Sequence, residues 1–379
     1  MTAIQYSFSK VQDADFISTL KKRVHGYFQE NNISRHGDAR MVIKTVVMLG
    51  LYFVPLALML SGLITQVWLI FVMWIVMGLG MSGIGMSVTH DANHGAYSKK
   101  RWVNNLLGKT MNLMGVSSEL WKIQHNMLHH TYTNIDGHDE DIHVPVVLRF
   151  SPHQRHRWIH RFQFLYVWIF YGISTLWWIT TKDFIQIAKY KREGFIPGKK
   201  FRKELTRLIA WKVFYYGYSI VLPILLIPVS PWIVLAAFVS MHLVVGLFLS
   251  IIFQAAHVMP NTEFPEPPDD GNFENNWAVH QLLTTTNFAQ KSRIFSWFIG
   301  GLNYQVEHHL FSNICHVHYR ALSKIVRETA REFGIQYNTQ KSFLSALWAH
   351  VRMLYALGQG STAPVLVPQP SNVPVQRGR

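Results

Sequence analysis

Two stretches of this chain hold no Asp, Glu, Lys or Arg: Thr45 to Thr89 and Val213 to Thr262. Each exceeds the ~20 apolar residues that a membrane-crossing helix requires. Each is also long enough for two crossings joined by a tight turn. Turn signals stand where such joints belong, at Ser61-Gly62 and at Pro228-Val229-Ser230-Pro231. The pattern predicts four transmembrane helices, about 44–60, 67–88, 209–227 and 232–256. A further apolar segment, Gln163 to Thr181, is rich in Trp and Tyr. Aromatic rings with a polar edge favour the membrane–water boundary. This segment is expected to be an interfacial helix, with a fifth crossing as the alternative.

Composition agrees with a membrane protein. Hydrophobic residues make up 49 % and aromatics 14 %. Charged residues reach only 15 %, against roughly 25 % in an average soluble domain. The net charge is +15 with histidine neutral, and it is unevenly placed. Lys and Arg crowd the N-terminal arm, the 99–109 segment and the 182–212 segment, while the short turns between paired helices have none. The positive-inside rule puts those flanks, and with them both termini, on the cytoplasmic side. A bacterial inner membrane or its equivalent is the expected location.

The chain then divides into an arm (1–41), a membrane domain (42–359) and a Pro-rich tail (360–379) expected to be disordered. The first forty residues show no apolar stretch before a cleavage site, so no signal peptide is expected. Cys315 is the only cysteine, which excludes an intramolecular disulfide. Nothing in the pattern calls for a nucleic-acid partner.

The 20 histidines change the picture. None lies between Met41 and Thr89, and none between Arg161 and Met241. They concentrate in three short stretches beside the predicted crossings: His90-Asp91-Ala92-Asn93-His94, His125-Asn126-Met127-Leu128-His129-His130, and Gln305-Val306-Glu307-His308-His309. His90 and His94 are four apart, as are His125 and His129, which on a helix places each pair on one face. Gln305 precedes His308 and His309 by three and four residues, so all three can face one point. Neutral imidazole binds Fe, Zn, Cu and Ni. Seven histidines exceed what one tetrahedral zinc site uses, and they suit two metal ions side by side. A lone HxxxH pair is often no more than surface histidine; three clusters on one side of one membrane are not.

Other candidates carry less. Ionisable groups inside a membrane helix are functional candidates by default. His257 falls at the cytoplasmic end of the last crossing, level with the clusters, and is expected as an eighth ligand. His242 lies deeper and is expected to pack or hydrogen-bond. His280 is a tentative site residue. Glu140-Asp141-Ile142-His143 offers one Glu-x-x-His match, where soluble di-iron bundles use two; a solvated or loop-fixing role is expected there. Asp91 and Glu307 either orient ligand imidazoles or form surface ion pairs.

These residues resemble the membrane fatty acid desaturases. The run His90-Asp91-Ala92-Asn93-His94, then His125 to His130 with Thr131-Tyr132-Thr133-Asn134, matches that family's first two histidine boxes. The third box, Gln305 to Phe311, is similar to the front-end subgroup, which has Gln where other members have His. Within it the cyanobacterial delta-6 acyl-lipid type is the most similar. The likeness runs from about Val24 to Gly358 and includes Thr284-Thr285-Thr286-Asn287-Phe288-Ala289 and Asn313-Ile314-Cys315-His316.

The resemblance implies an all-α integral membrane fold: four transmembrane helices under a cytoplasmic helical cap that holds a histidine-rich di-iron site. It implies two iron ions as cofactor and O2 as co-substrate. The substrate would be a fatty acyl lipid or acyl-CoA, desaturated on the carboxyl side of an existing double bond. His257 matches a ligand position in the related acyl-CoA enzymes. Gln305 is the candidate catalytic residue, leaving one iron a weaker or water-filled position; the alternative is that it orients His309. A hydroxylase or conjugase on the same scaffold, and a metal-transporting or haem membrane protein, are the rival readings. Ser312 stands where the family usually has Pro. No His-Pro-Gly-Gly haem motif occurs, so electrons would come from a separate donor of ferredoxin or cytochrome b5 type. An acidic donor would suit the basic cytoplasmic face.

Overall fold

Backbone groups in a bilayer must bond within their own segment, so charge-free stretches of this length become helices. A computed structural model of the protein describes residues 6–361, so residues 362–379 of the tail lie outside the described residues. Among the described residues five helices are long and apolar enough to cross a membrane: α2 (Ala39–Leu60), α3 (Val67–Asn93), α5 (Trp158–Arg192), α6 (Gly198–Leu226) and α7 (Pro231–His257). Ahead of them α1 (Ala14–Glu30) belongs to the cap, and α4 (118–132) carries the second histidine box.

Both predicted hairpin turns are present. Gly62 takes φ 77 at the α2–α3 turn, a conformation that favours glycine. Pro231 opens α7 at its first turn, where its missing N–H costs nothing. The helices outrun the sequence expectation at their polar ends. Asp38 caps α2 by accepting from the Arg40 N–H at 2.9 Å, which starts the helix at Ala39 and carries Lys44 into it. Likewise α6 begins at Gly198, within the basic segment.

Without a hydrophobic force between helices in lipid, close backbone approach decides packing. A Cβ on Gly80 of α3 would lie 2.7 Å from the Tyr52 nitrogen of α2. A Cβ on Gly246 of α7 would strike the Gly172 carbonyl of α5. At that crossing Thr175 Oγ1 donates to the His242 carbonyl at 2.9 Å, and Ser174 Oγ lies 3.2 Å from Ser250 Oγ. His242 itself bonds Tyr215 at 2.6 Å and Thr175 at 3.1 Å.

The segment expected to be interfacial is α5. Its first turns bond through Gln163, which donates to the carbonyls of Arg149 and Leu354 at 3.1 and 2.9 Å. Its last turns bond through Gln186, which donates to Gln124 at 2.7 Å, and through an ion pair between Lys189 and Glu140.

The cap is completed by α8 (Trp277–Thr284), α9 (Gln305–Leu310), α10 (Tyr319–Glu332) and α11 (Phe343–Gly358). Helix α1 lies along α10, burying Phe16 and Leu20 with Leu322 and Val326 and pairing Arg23 with Glu332 at 2.7 Å. Two short parallel strand pairs join distant segments, Ser7–Phe8 with Asn272–Phe273 and Asn287–Phe288 with Thr339–Gln340.

Gly246→Leu is expected to force α5 off α7 at a cost of about 1–3 kcal/mol. The check is the melting temperature of the detergent-solubilised protein; an unchanged value would contradict the close crossing.

Candidate metal centre

The three boxes reach one place by different local devices. Helix α3 widens to π winding over Ile84–Thr89, immediately before His90. Gly95 at φ 72 then turns the chain at the helix end, so His94 sits on the last turn. In α4 the winding is again π over Lys122–His129. Such turns cluster at functional sites, and here the effect is visible. Residues five apart come together: His125 Nε2 lies 3.2 Å from His130 Nε2. The third box follows Gly300 at φ 63, whose α-carbon packs against the Met86 carbonyl of α3 with no space for a Cβ. Asn134, itself at φ 61, staples the remaining ends. Its amide donates to the carbonyls of His257 and Glu263 at 3.0 Å and of Thr284 at 3.3 Å.

The histidines then fall into two groups. In one, His90, His94, His125 and His308 each bring a ligand atom within 4.8 Å of the others. In the other, His129, His257 and His309 do the same. His130 joins His308 and His309 within the same limit and so stands between the groups. Neighbours in sequence are split: His125 and His129 face the same side yet serve different groups, as do His308 and His309. The one point expected for Gln305, His308 and His309 is thus two for the histidines of the third box, while the expected pair of metal ions suits the two groups.

A cation site should leave ring nitrogens buried with nothing else to bond. His94 Nε2, His257 Nε2, His308 Nε2, His130 Nδ1 and both nitrogens of His90 are buried with no hydrogen-bond partner among the described residues. Each such orphan costs about 1–3 kcal/mol when nothing satisfies it. His129 Nε2 and His309 Nε2 stand 3.3 Å apart. A metal ion shared by these lone pairs removes the cost, so the donor set fits metal.

Outward-facing nitrogens are tethered. His129 Nδ1 donates to Asp139 at 3.0 Å, His309 Nδ1 to Gln281 Oε1 at 2.7 Å and His257 Nδ1 to the Thr284 carbonyl at 3.4 Å. His125 Nδ1 lies 3.5 Å from Asp141, and His308 Nδ1 lies 3.2 Å from the Tyr319 hydroxyl. Partners of this kind fix ring orientation and tautomer and raise ligand basicity.

Comparison with known proteins agrees with this geometry. The profile for fatty acid desaturase matches residues 66–341. The chain is 36 % identical to an sn-1 linoleoyl-lipid 6-desaturase of Arthrospira platensis, covering 89 % of this chain and 91 % of the relative. The corresponding enzyme of Synechocystis sp. is also 36 % identical, over 95 % of this chain and all of the relative's length. An acyl-lipid (8-3)-desaturase of Physcomitrium patens shows the same identity over 93 % of this chain and 73 % of its own.

The chain belongs to the fatty acid desaturase family.

As a desaturase it is an oxidoreductase, and its remaining candidate residues can be placed against that. Neither Asp91, 1 % exposed, nor Glu307, 0 % exposed, forms a surface ion pair. Asp91 accepts from His316 Nδ1 at 2.8 Å and lies 3.7 Å from His90 Nδ1; Lys44 donates to His316 Nε2 at 2.6 Å. Glu307 accepts from Asn287 and Tyr337, both at 2.8 Å, and burial pushes its carboxyl up to about 7. Gln305 is buried beside His308, and neither atom of its amide has a hydrogen-bond partner among the described residues. The structure does not bring His280 into either group; its ring packs against Phe8 and Phe273. His143 is exposed and Glu140 pairs with Lys189, so they form no ligand pair.

The residues that sequence reasoning missed are Asp139, Asp141, Gln281, Tyr319, His316 and Lys44. Only Asp139 and Asp141 left a signal, as the acidic loop a few residues after the second box.

In this desaturase burial holds the imidazoles of His94, His125, His130, His308 and His309 well below the ordinary histidine value of 6.5. They are neutral and ready as ligands. His129 is the exception: burial opposes its protonation, but the Asp139 and Asp141 carboxylates outweigh burial and raise it. An imidazole with a lowered folded value takes up its proton only on unfolding. Its stabilisation is therefore present above the unfolded value, near 6.5, and is lost as pH falls below it. His129 contributes oppositely, its share fading as pH rises through its raised value. Five lowered imidazoles outweigh His129 and Glu307, whose raised carboxyl also contributes less as pH rises, so the metal-free desaturase is expected to melt at lower temperature at about pH 5.5 than at about pH 7.5. A flat profile would contradict neutral burial. Asp139→Asn is expected to weaken metal retention about 10–100-fold, read as metal content during a chelator titration, with Glu332→Gln, at the exposed pair with Arg23, as a control away from the rings.

Proposed function

We propose that this desaturase inserts a cis double bond into an already unsaturated fatty acyl chain, on the carboxyl side of an existing double bond, while the chain is carried on a membrane lipid. The observation that carries the chemistry is the pair of imidazole groups whose inner nitrogens have no other partner. The substrate class rests on relatives whose names specify linoleoyl lipid and acyl lipid.

In this reading His90, His94, His125 and His308 hold one iron ion, and His129, His257 and His309 the other, with His130 between them. The irons would supply the oxidising power, drawn from O2 and two electrons, that removes a hydrogen from each of two adjacent methylenes; no side chain can attack an unactivated C–H bond. The protein's own residues position and exclude. Asp139, Asp141, Gln281 and Tyr319 hold the rings in orientation. Gln305 presents a neutral amide, a weaker ligand than imidazole, beside the first group and keeps a position there for a small molecule. The electrons come from a separate donor of ferredoxin or cytochrome b5 type.

Four crossings and a cytoplasmic cap are part of the same proposal. Support comes from α5, whose two ends both bond to cap residues, at Arg149 and Leu354 and at Gln124 and Glu140. Tethering at both ends to segments that carry or flank the boxes supports a helix held at the membrane boundary against α7, so that four of the five candidate helices cross. The Lys- and Arg-rich flanks stand at the cap end of the crossings, which supports a cytoplasmic cap.

The test is a fatty acid profile from a host fed linoleate and supplied with ferredoxin and its reductase. Gas chromatography with mass spectrometry should find a new double bond on the carboxyl side of the existing ones, absent with His308→Ala. A hydroxylated product, or a bond on the methyl side, would refute the reading. Gln305→His is expected to lower conversion with iron content unchanged; full activity would remove any special need for the amide.

A further inference from the structure

Away from the metal centre, a groove of about 610 Å³ opens where the cap meets the start of α2. Its titratable lining is mostly cationic: Arg40, Arg320 and Lys324, with the single carboxylate Asp38. His36 and His318 complete the polar wall. Asp38 is already engaged, since Arg40 Nη2 lies 2.8 Å from it. Arg320 and Lys324 are not. They stand four apart on α10, both exposed, and neither side chain forms a hydrogen bond or ion pair among the described residues. Elsewhere on the cap Arg23 pairs with Glu332 and Lys189 with Glu140; what sets Arg320 and Lys324 apart is that both line the groove. Two adjacent unpaired cations in a concave wall are matched to an oxyanion, which accepts several charge-assisted hydrogen bonds at once.

The neighbourhood says which oxyanion. Arg40 lies on the first turn of a membrane-crossing helix. Ile43 and Val47 continue its face, three and seven residues on, and both are exposed, as are Val42 and Val46. A cationic groove thus runs into an apolar stripe turned to lipid. An amphiphile with an anionic head and hydrocarbon tails fits both parts, whereas a free ion fills only the first.

We propose that this groove binds the anionic headgroup of a membrane glycerolipid, its phosphate or equivalent oxyanion held by Arg320 and Lys324 with Arg40 at the rim, and its tails along Ile43 and Val47. The site stands apart from the proposed reaction, and its test does not depend on turnover. Anionic lipid attracts each Lys or Arg near its surface by about 1 kcal/mol, so losing both unpaired cations is expected to weaken binding about tenfold or more.

The full chain, purified in detergent, would be given phosphatidylglycerol, phosphatidylcholine or inorganic phosphate, with lipid retention read by native mass spectrometry and ion binding by melting temperature. Phosphatidylglycerol should be retained in preference to phosphatidylcholine, and the Arg320→Gln/Lys324→Gln double variant should lose that preference. Lys199→Gln/Lys203→Gln, exposed cations elsewhere, should keep it. Wild-type affinity in the double variant, or equal retention of phosphatidylcholine, overturns the proposal. So does inorganic phosphate displacing phosphatidylglycerol at equal concentration, which would make the groove an ion site. If the double variant melts early without lipid, the single variants carry the same test, each losing about fivefold.

Discussion

A buried ring nitrogen with nothing to bond is a liability, and this fold gathers several of them around two points. The inner nitrogens of His94 and His308 in one group, and of His257 in the other, are buried with no hydrogen-bond partner among the described residues. A cation in each group would relieve that cost, provided every ring is held against turning away. The rest of the cap follows from this requirement. Asp139, Gln281 and Tyr319 grip the far nitrogens. Asn134 ties three carbonyls from separate segments. Gly300 lets the third box press against α3. Crossings, loops and cap helices contribute rings or grips to one centre, so none can shift alone.

How much of this was legible in the sequence depends on range. The apolar stretches and their turns were readable because a bilayer imposes length and composition residue by residue. The histidine boxes were readable because metal ligands cluster and their types are few. Helical winding was not: a spacing of four reads as one face of an α-helix, and nothing in His125 to His130 announces π turns. The division of His308 from His309 was hidden for the same reason, since neighbouring residues point differently only once the third box is docked. Asp139 and Gln281 escaped because their partners lie across the fold. His280 is buried against Phe8 and Phe273, outside both histidine groups; nothing in the sequence announces that packing.

The membrane helices serve chiefly to set position. Helices α3 and α7 carry His90 and His257 at their ends, so their packing, close at Gly78 against Met241, sets how far apart those two rings stand. Helix α5 lies against α7 at Gly246 and returns to the cap at both ends. Packed along α7 through Gly172 on Gly246, Thr175 on His242 and Ser174 on Ser250, it links α7 to the segments bonded at its two ends. The Lys44–His316–Asp91 chain makes a second such link, from a crossing helix to the neighbour of His90.

The π winding of α4 carries a lesson for anyone borrowing the motif. On a regular α-helix, residues five apart point about 140° away from each other, yet here His125 and His130 meet at 3.2 Å. Copying the letters of the second box onto a straight designed helix would therefore scatter its donors. Grafting must transplant the widened turns as well, together with the acidic loop behind them. The spacing is meaningful only in the coordinate frame that this backbone supplies.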